Sequence, residues 1–331
     1  MRVLLEARGL TQVFARRGAG GGRLLFRAID RVDLELRAGE VLAVVGESGC
    51  GKSTLLRCLA GFLPCEGELL LGGEDGRRLR GRSRRAFFRR LQLVFQDPSS
   101  ALDPRIRIGS AVAEGLEPGQ GDVPARVAGW LDAVGLGPEI AGRFPHQISG
   151  GQRQRATLAR ALAAEPEVLL LDEPFAALDS ETRAGVLELL EGLRRRFGIP
   201  MVIVGHDLAT LRRVASRVAV MYLGRVIELG EAAATLENPL HPYTRALLAA
   251  EPRPIPGRRP AEIPPGEVPI PWEPPAGCAY HPRCPRATDL CRRQAPPLET
   301  TAGRHPVACH HPCLGPAAGV SGPADVTFAP T

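Results

Sequence analysis

Apolar residues along the first 250 positions keep two rhythms. Short unbroken runs at Val41–Val45, Val168–Leu171, Met201–Val204 and Val218–Tyr222 read as strands buried on both faces. Between them lie stretches of helical character such as Ser53–Gly61 and Gly151–Ala164. Strands alternating with helices predict an α/β fold, its sheet mainly parallel and covered on both faces. From about Pro252 this pattern stops. The last 81 residues hold 19 of the 31 prolines, and EPRPIPGRRPAEIPPGEVPIPWEPP reads as an extended linker. A short Cys-rich segment follows, and no internal repeat is visible.

Composition narrows the picture. With 331 residues, 44% hydrophobic and 24% charged, the chain can bury a sizeable core. No apolar run approaches the ~18–20 residues needed to span a bilayer, and the start MRVLLEARGL lacks a secretory apolar stretch. The expected location is therefore cytoplasmic, with any membrane reached through a partner. A net charge of +6 is too mild for a nucleic-acid footprint. Of the 42 basic residues only Lys52 is a lysine, which marks a position needing a compact point charge.

That lysine sits in a phosphate loop. The strand VLAVVG leads into Gly46, Glu47, Ser48, Gly49, Cys50, Gly51, Lys52, Ser53 and Thr54, and the helix LLRCLAG follows. This is G-x-x-x-x-G-K-S in its strand-then-helix setting, where backbone N–H groups and a helix N-terminus receive phosphate. Lys52 is expected at the β/γ-phosphates of a nucleotide and the Ser53 hydroxyl at Mg²⁺. A chance glycine turn would share the letters but not the flanking elements. Downstream, VLLL carries an apolar strand into Asp172 and Glu173. Beside a phosphate loop, Asp172 is a candidate Mg²⁺ holder and Glu173 the polariser of the attacking water.

Between these two lies Ile148-Ser149-Gly150-Gly151-Gln152 before the helical RQRATLARALAAEP. A Ser-Gly-Gly turn at a helix N-terminus makes a second phosphate nest. One nucleotide needs only one nest per subunit, so the second predicts a dimer in which it covers the partner's nucleotide. At this point the residues resemble the ATP-binding cassette family. GESGCGKST, Gln96 in LVFQDPSSALDPR, ISGGQ, LLLDEP, Ala177-Leu178-Asp179 and His206 in VIVGHDL occur in the family's order over about residues 1–250. The resemblance implies a RecA-like P-loop core (1–95 and 153–250) and a small helical subdomain (96–152) that receives a permease helix. It gives Gln96 a place at the γ-phosphate and Mg²⁺, Asp179 a place at the dimer interface, and His206 a contact to the γ-phosphate. Two positions depart from the pattern: Ile148 replaces the usual Leu, and Phe14 is the candidate adenine-stacking aromatic where Tyr is common. An ordinary core Phe is the competing reading of Phe14.

GRRLRGRSRRAFFRR packs eight arginines between Arg77 and Arg90. Clustered arginine suits nucleic acid, and a cassette ATPase acting on nucleic acid is the rival class. Phe87 and Phe88, adjacent rather than interleaved, favour a core anchor beneath a solvated helix face. No nucleic acid is expected as a partner.

Eight cysteines divide into Cys50, Cys58 and Cys65, which read as structural and inert, and five in the tail. Cys278, Cys284, Cys291 and Cys309 place four thiols within 32 residues, amid prolines and with too little apolar sequence for a separate core. A reducing cytosol favours a metal over disulfides as the staple, and the spacing leaves an iron–sulfur cluster and Zn²⁺ both open. Here the resemblance narrows. ENPLHPYTRALLAAEP, PPAGCAYHPRCPRATDLC and HPVACH resemble the C-terminal extension of oligopeptide/dipeptide transporter ATP-binding subunits. That implies a [4Fe–4S] cluster on these four cysteines, with Cys313 a competitor for the last position, in an extension over 251–313 ahead of a disordered tail at 314–331. An electron-transfer protein is a third and weaker reading. The family implies an ATPase at the cytoplasmic face of the plasma membrane with a second cassette subunit (identical or similar), two permease subunits and an extracytoplasmic substrate-binding protein. Peptide is the implied cargo; nickel, glutathione and opines are served by related subunits.

Overall fold

The computed structural model of the chain describes residues 2–17, 21–97, 101–117, 119, 121–176, 178–250, 269, 272, 274–301 and 303–315. The extended-linker expectation falls almost wholly outside these residues, as does the low-complexity end from 316 onward. In chain order the strands are β1 (Val3–Arg17), β2 (Arg23–Arg37), β3 (Val41–Val45), β4 (Glu66–Leu71), β5 (Glu74–Asp75), β6 (Leu91–Val94), β7 (Val168–Asp172), β8 (Met201–Gly205), β9 (Arg217–Tyr222), β10 (Arg225–Glu231), β11 (Glu299–Thr300) and β12 (Pro306–Val307).

The larger sheet has the order β11-β12-β10-β9-β3-β8-β7-β6. Its centre is parallel: β3 pairs with β8 and β9, and β7 pairs with β6 and β8. β3, β7 and β8 are buried along their whole length, which explains why their sequences do not alternate. Ala43, Leu171 and Ile203 face one core, while Leu42, Leu170 and Val202 face the other. The expected α/β architecture is therefore present, with an antiparallel edge at β9–β10–β12–β11.

A second sheet, β2-β1-β4-β5, is antiparallel throughout and is not among the expected elements. Its core face is carried by alternate residues of β2, with Val32, Leu34 and Leu36 buried. That face covers the helix Lys52–Leu59, whose Leu55, Leu56 and Leu59 join the same core.

Between Gln96 and Ser149 stand the helices Ile108–Ala113 and Val123–Ala133 and two 3₁₀ turns. Asp122 starts the second helix by accepting from the Ala125 N–H at 3.4 Å. Val112, Val127 and Leu131 pack in one core with Leu158 and Leu162 of the helix Gly150–Leu162, and Ile148 is buried there too. The Ile for Leu departure thus keeps an apolar anchor of similar volume.

The Cys-rich segment has no separate core and borrows one. It does not stand apart without a core: Tyr280 and Ala308 belong to the main core, and β12 pairs with β10 through Glu228 and Val307. Packing on the main core supplies the apolar burial that its own sequence lacks.

Candidate functional site

The parallel strands deliver their C-terminal ends to one edge of the sheet, the usual place for a site in such folds. The phosphate loop follows β3, His206 follows β8, Asp172 ends β7 with Glu173 next, and Gln96 lies two residues beyond β6. Sheet order therefore gathers residues that are more than 100 positions apart. Within the loop, Gly51 caps the helix Lys52–Leu59 at φ 109°, and a Cβ there would lie 2.3 Å from the Ala28 carbonyl oxygen. Only glycine fits that turn. The buried Lys52 ammonium donates to the carbonyls of Gly46 (2.8 Å) and Glu47 (3.0 Å).

The Ser53 hydroxyl donates to Asp172 Oδ1 at 2.8 Å. Burial raises the Asp172 carboxyl above the ordinary range, although Ser53 and the nearby Arg57 and Lys52 pull it down. Two hard oxygens side by side, one of them a carboxylate deprived of water, suit a magnesium ion. Beside them Glu173 adopts φ 45°, rare for a residue with a side chain, and its N–H donates to the Val204 carbonyl at 3.0 Å. This turn brings its Oε2 to within 3.1 Å of Gln96 Nε2, which donates to it, and 3.3 Å of His206 Nδ1. The three residues expected to act on the terminal phosphate thus share one oxygen.

The second nest lies exposed at a helix N-terminus. Ser149 Oγ accepts from the Gln152 N–H (3.2 Å) and Gln152 Oε1 accepts from the Ser149 N–H (3.0 Å), a reciprocal cap. Gly150 and Gly151 form its first turn. Asp179 caps the helix Ser180–Phe197 by accepting from the N–H and hydroxyl of Thr182, and these bonds hold its carboxyl below the usual range. Ala177 lies outside the described residues, as do residues 98–100 of the segment after Gln96. Phe14 is half-buried on β1 rather than in the core, its ring stacked 6.4 Å from Phe26. Phe26 stands two residues from Ala28, whose carbonyl abuts Gly51.

Contacts from the C-terminal residues to this site carry no signal in the sequence. Arg283 sends both terminal nitrogens to the two carboxylate oxygens of Glu47, at 2.9 and 3.0 Å, and the Tyr243 hydroxyl accepts from the Glu47 N–H at 2.8 Å. Arg283 is one arginine among dozens, and no spacing rule ties it to a loop 236 positions away.

The four candidate ligand cysteines line one small cavity with His281, His310 and His311. Burial raises the thiols of Cys278 and Cys284, and pushes Cys309 up to about 12. As a set of soft donors they suit iron or zinc. Even so, among the described residues no group of three or more His, Cys, Asp or Glu side chains is arranged to hold a metal ion. The donors converge without standing in ligating geometry. Cys313 is buried nearby, its N–H donating to the Leu240 carbonyl. Near the phosphate loop, Cys50 and Cys58 are buried as expected, and Cys65 is half-buried. A hydrogen bond from Cys58 and the Arg77 guanidinium 2.8 Å away bring its thiol down to about 7 against the effect of burial.

Of the arginine run, Arg82, Arg84, Arg85 and Arg89 lie on the helix Gly81–Arg89, with Arg77, Arg78 and Arg80 before it and Arg90 at its end. Phe87 is its core anchor, Arg84 stacks on Phe88, and Arg90 pairs with Glu167 and Glu74.

Comparison with known proteins agrees with this geometry. Residues 29–176 match the ABC transporter family, and residues 227–291 match the oligopeptide/dipeptide transporter C-terminal region. The chain is 47% identical over 290 residues to "Probable peptide ABC transporter ATP-binding protein y4tS" of Sinorhizobium fredii, covering 86% of this chain and 82% of that one. It is 46% identical over 319 residues to a di/tripeptide transport ATP-binding protein of Pseudomonas aeruginosa, covering 94% and 98%. Among solved structures, a dimeric ATP-binding cassette in a post-hydrolysis state with ADP and Pi superposes with a TM-score of 0.60 at 28% identity, covering 69% of this chain and 99% of that one. Among the described residues no helix is long and apolar enough to cross a membrane. The chain belongs to the ATP-binding subunits of the oligopeptide/dipeptide ABC transporter family and is an ABC-type ATPase.

Proposed function

We propose that this ATPase drives peptide uptake through a partner permease at the cytoplasmic face of the plasma membrane, as half of a head-to-tail cassette dimer. The observation carrying the catalytic part is the shared oxygen of Glu173, with Gln96 donating to it and His206 beside it. Glu173 acts as the general base that orients and deprotonates the attacking water. Gln96 and His206 fix its carboxylate, and His206 reaches the γ-phosphate. Ser53 and Asp172, with Gln96 alongside, are the residues to hold Mg²⁺, which when bound neutralises charge on the β- and γ-phosphate oxygens. The loop Gly46–Thr54 cradles the phosphates. Phe14, in the hairpin next to Gly51, offers a ring face to adenine. Ser149–Gln152 and Asp179, exposed on one subunit, complete the site of the other. The names of the matching relatives support the peptide cargo over nickel, glutathione or opines.

A groove of about 660 Å³ between the helix Gly81–Arg89 and Phe95 is rimmed by Arg84, Arg85, Arg89 and Arg160 around exposed Phe62. It is the place for the permease helix. Among the described residues only Ala101 of the helical subdomain lines it, so the core supplies most of the groove that the sequence assigned to the subdomain. An external binding protein would deliver the peptide to that permease. On this reading residues 1–95 and 153–250 are the core, 96–152 the helical subdomain, and 251–313 the extension. Cys278, Cys284, Cys291 and Cys309 would hold a [4Fe–4S] cluster, which when bound staples the segment. Iron and sulfide in anaerobically purified protein, lowered by each Cys→Ser change, are the expected outcome; stoichiometric zinc would replace the cluster.

Glu173→Gln tests the catalytic reading. Turnover of the assembled transporter should fall about 10²–10⁴-fold, the usual worth of a general base, with ATP binding kept. Unchanged turnover would sink the assignment.

A further inference from the structure

Glu47 is an odd residue to find in a loop built for polyphosphate, since its carboxylate repels the ligand. Here every polar part of it is held. The Lys52 ammonium donates to its carbonyl, the Tyr243 hydroxyl accepts from its N–H, and the Arg283 guanidinium grips its carboxylate with two parallel bonds. Two of these three groups come from beyond residue 240. Arg283 lies in the 3₁₀ turn His281–Arg283, with its side chain only 4% exposed, and its guanidinium is 5.9 Å from the Tyr280 ring. Tyr222, Tyr243 and Tyr280 pack against one another in the same place. Water is thus kept from the Arg283 side, while the Glu47 carboxylate stays 29% exposed, so the pair is partly shielded and stronger than one between two fully exposed groups. A planar fork on a planar carboxylate also fixes orientation, which a lysine would not do.

We propose that Arg283 is a positioning residue of the nucleotide site, acting through Glu47. It cancels the carboxylate's charge next to the phosphates and fixes the backbone from which Lys52 is held. The C-terminal segment thereby sets how tightly the cassette binds ATP. This rests on Gly46–Thr54 being the nucleotide site, so Lys52→Ala serves as the control.

The test is ATP affinity of the full-length chain by equilibrium titration, with steady-state hydrolysis of the assembled transporter beside it. Arg283→Ala should weaken ATP binding and raise KM for ATP about tenfold, a typical size for coupling between sites. The kcat at saturating ATP should stay within about threefold, since the interaction is the same in ground and transition states. Adding Glu47→Gln to Arg283→Ala should recover most of the affinity, because the unpaired charge is gone. A staple with only a structural role gives no such recovery, and that result would overturn the inference. If Arg283→Ala does not fold, Arg283→Lys keeps the charge and loses the fork. It should weaken binding about threefold, and wild-type affinity there would overturn the inference equally. Lys52→Ala with undiminished ATP binding would instead reject the nucleotide site itself.

Discussion

Ser53 and Asp172, 119 positions apart, are joined by a hydrogen bond of 2.8 Å from hydroxyl to carboxylate. The bond ties the start of the first helix to the end of β7, so the two halves of the proposed magnesium site are in place together. Burial raises the Asp172 carboxyl, and a cation would relieve that cost. Hydrolysis should therefore vanish on chelation with EDTA and return with Mg²⁺. Asp172→Asn, which removes the charge but not the shape, should lower turnover about 10²–10³-fold, as losses of a charge-stabilising group do. Equal rates with and without Mg²⁺ would contradict the site.

Ser149 has one observed role, as a helix cap, and one proposed role, at the partner's nucleotide, which a pair of variants can separate. Its hydroxyl already caps the helix Gly150–Leu162, so Ser149→Ala should cost about 1 kcal/mol of stability. Aspartate is an equally good cap, and Ser149→Asp should keep that stability in a urea titration. Placed at the second phosphate nest, however, its carboxylate would repel the partner's nucleotide, and ATP hydrolysis should be lost. An active Ser149→Asp protein would show that the nest does not face a phosphate.

Much of this site could be read from the letters because its residues sit at the ends of buried strands. Val41–Val45, Val168–Leu171 and Met201–Val204 are unbroken apolar runs, and each ends within two residues of a candidate site residue: Gly46, Asp172 and His206. The hairpin β1–β2 was harder to see. Its strands are 15 residues long, carry charges on the exposed face and shift register between Val3 and Val13, so no short window shows clean alternation. The Cys-rich segment looked coreless for a different reason: Tyr280 and Ala308 find their apolar partners in residues far upstream. Pairings such as Arg283 with Glu47 depend wholly on how that segment docks, and a sequence pattern does not encode docking.

Cys65 gives a chemical signature. Its thiol is lowered to about 7 chiefly by the hydrogen bond from Cys58, with Arg77 assisting and burial opposing. A thiolate, not a thiol, attacks alkylating reagents. Iodoacetamide should therefore modify Cys65 well before Cys50 or Cys58, with a rate that rises to half its limit near pH 7. Arg77→Ala should move that midpoint upward. A midpoint near the ordinary cysteine value in the unaltered protein would show that the pair does not stabilise the thiolate.

Glu228 ties the C-terminal segment to the core. It is fully buried on β10 and accepts from the N–H groups of Leu240 and His241, at 2.6 and 3.1 Å, with His305 Nε2 at 2.7 Å. His305 immediately precedes β12, and Leu240 and His241 lead into the helix Pro242–Ala249, which carries Tyr243. One carboxylate thus holds both the added edge strand and the approach to the phosphate loop. Glu228→Ala would leave the two buried N–H groups of Leu240 and His241 without an acceptor, at about 1–3 kcal/mol each, and remove the partner of His305. Proteolysis within residues 274–315 should then become much faster. ATP affinity should fall as in Arg283→Ala, because both changes free Glu47 from its partners. Glu228→Gln keeps an acceptor and the shape, and should show a smaller loss of each. If Glu228→Ala left cleavage of this segment unchanged, its hold on the core would have to come from the tyrosine packing instead.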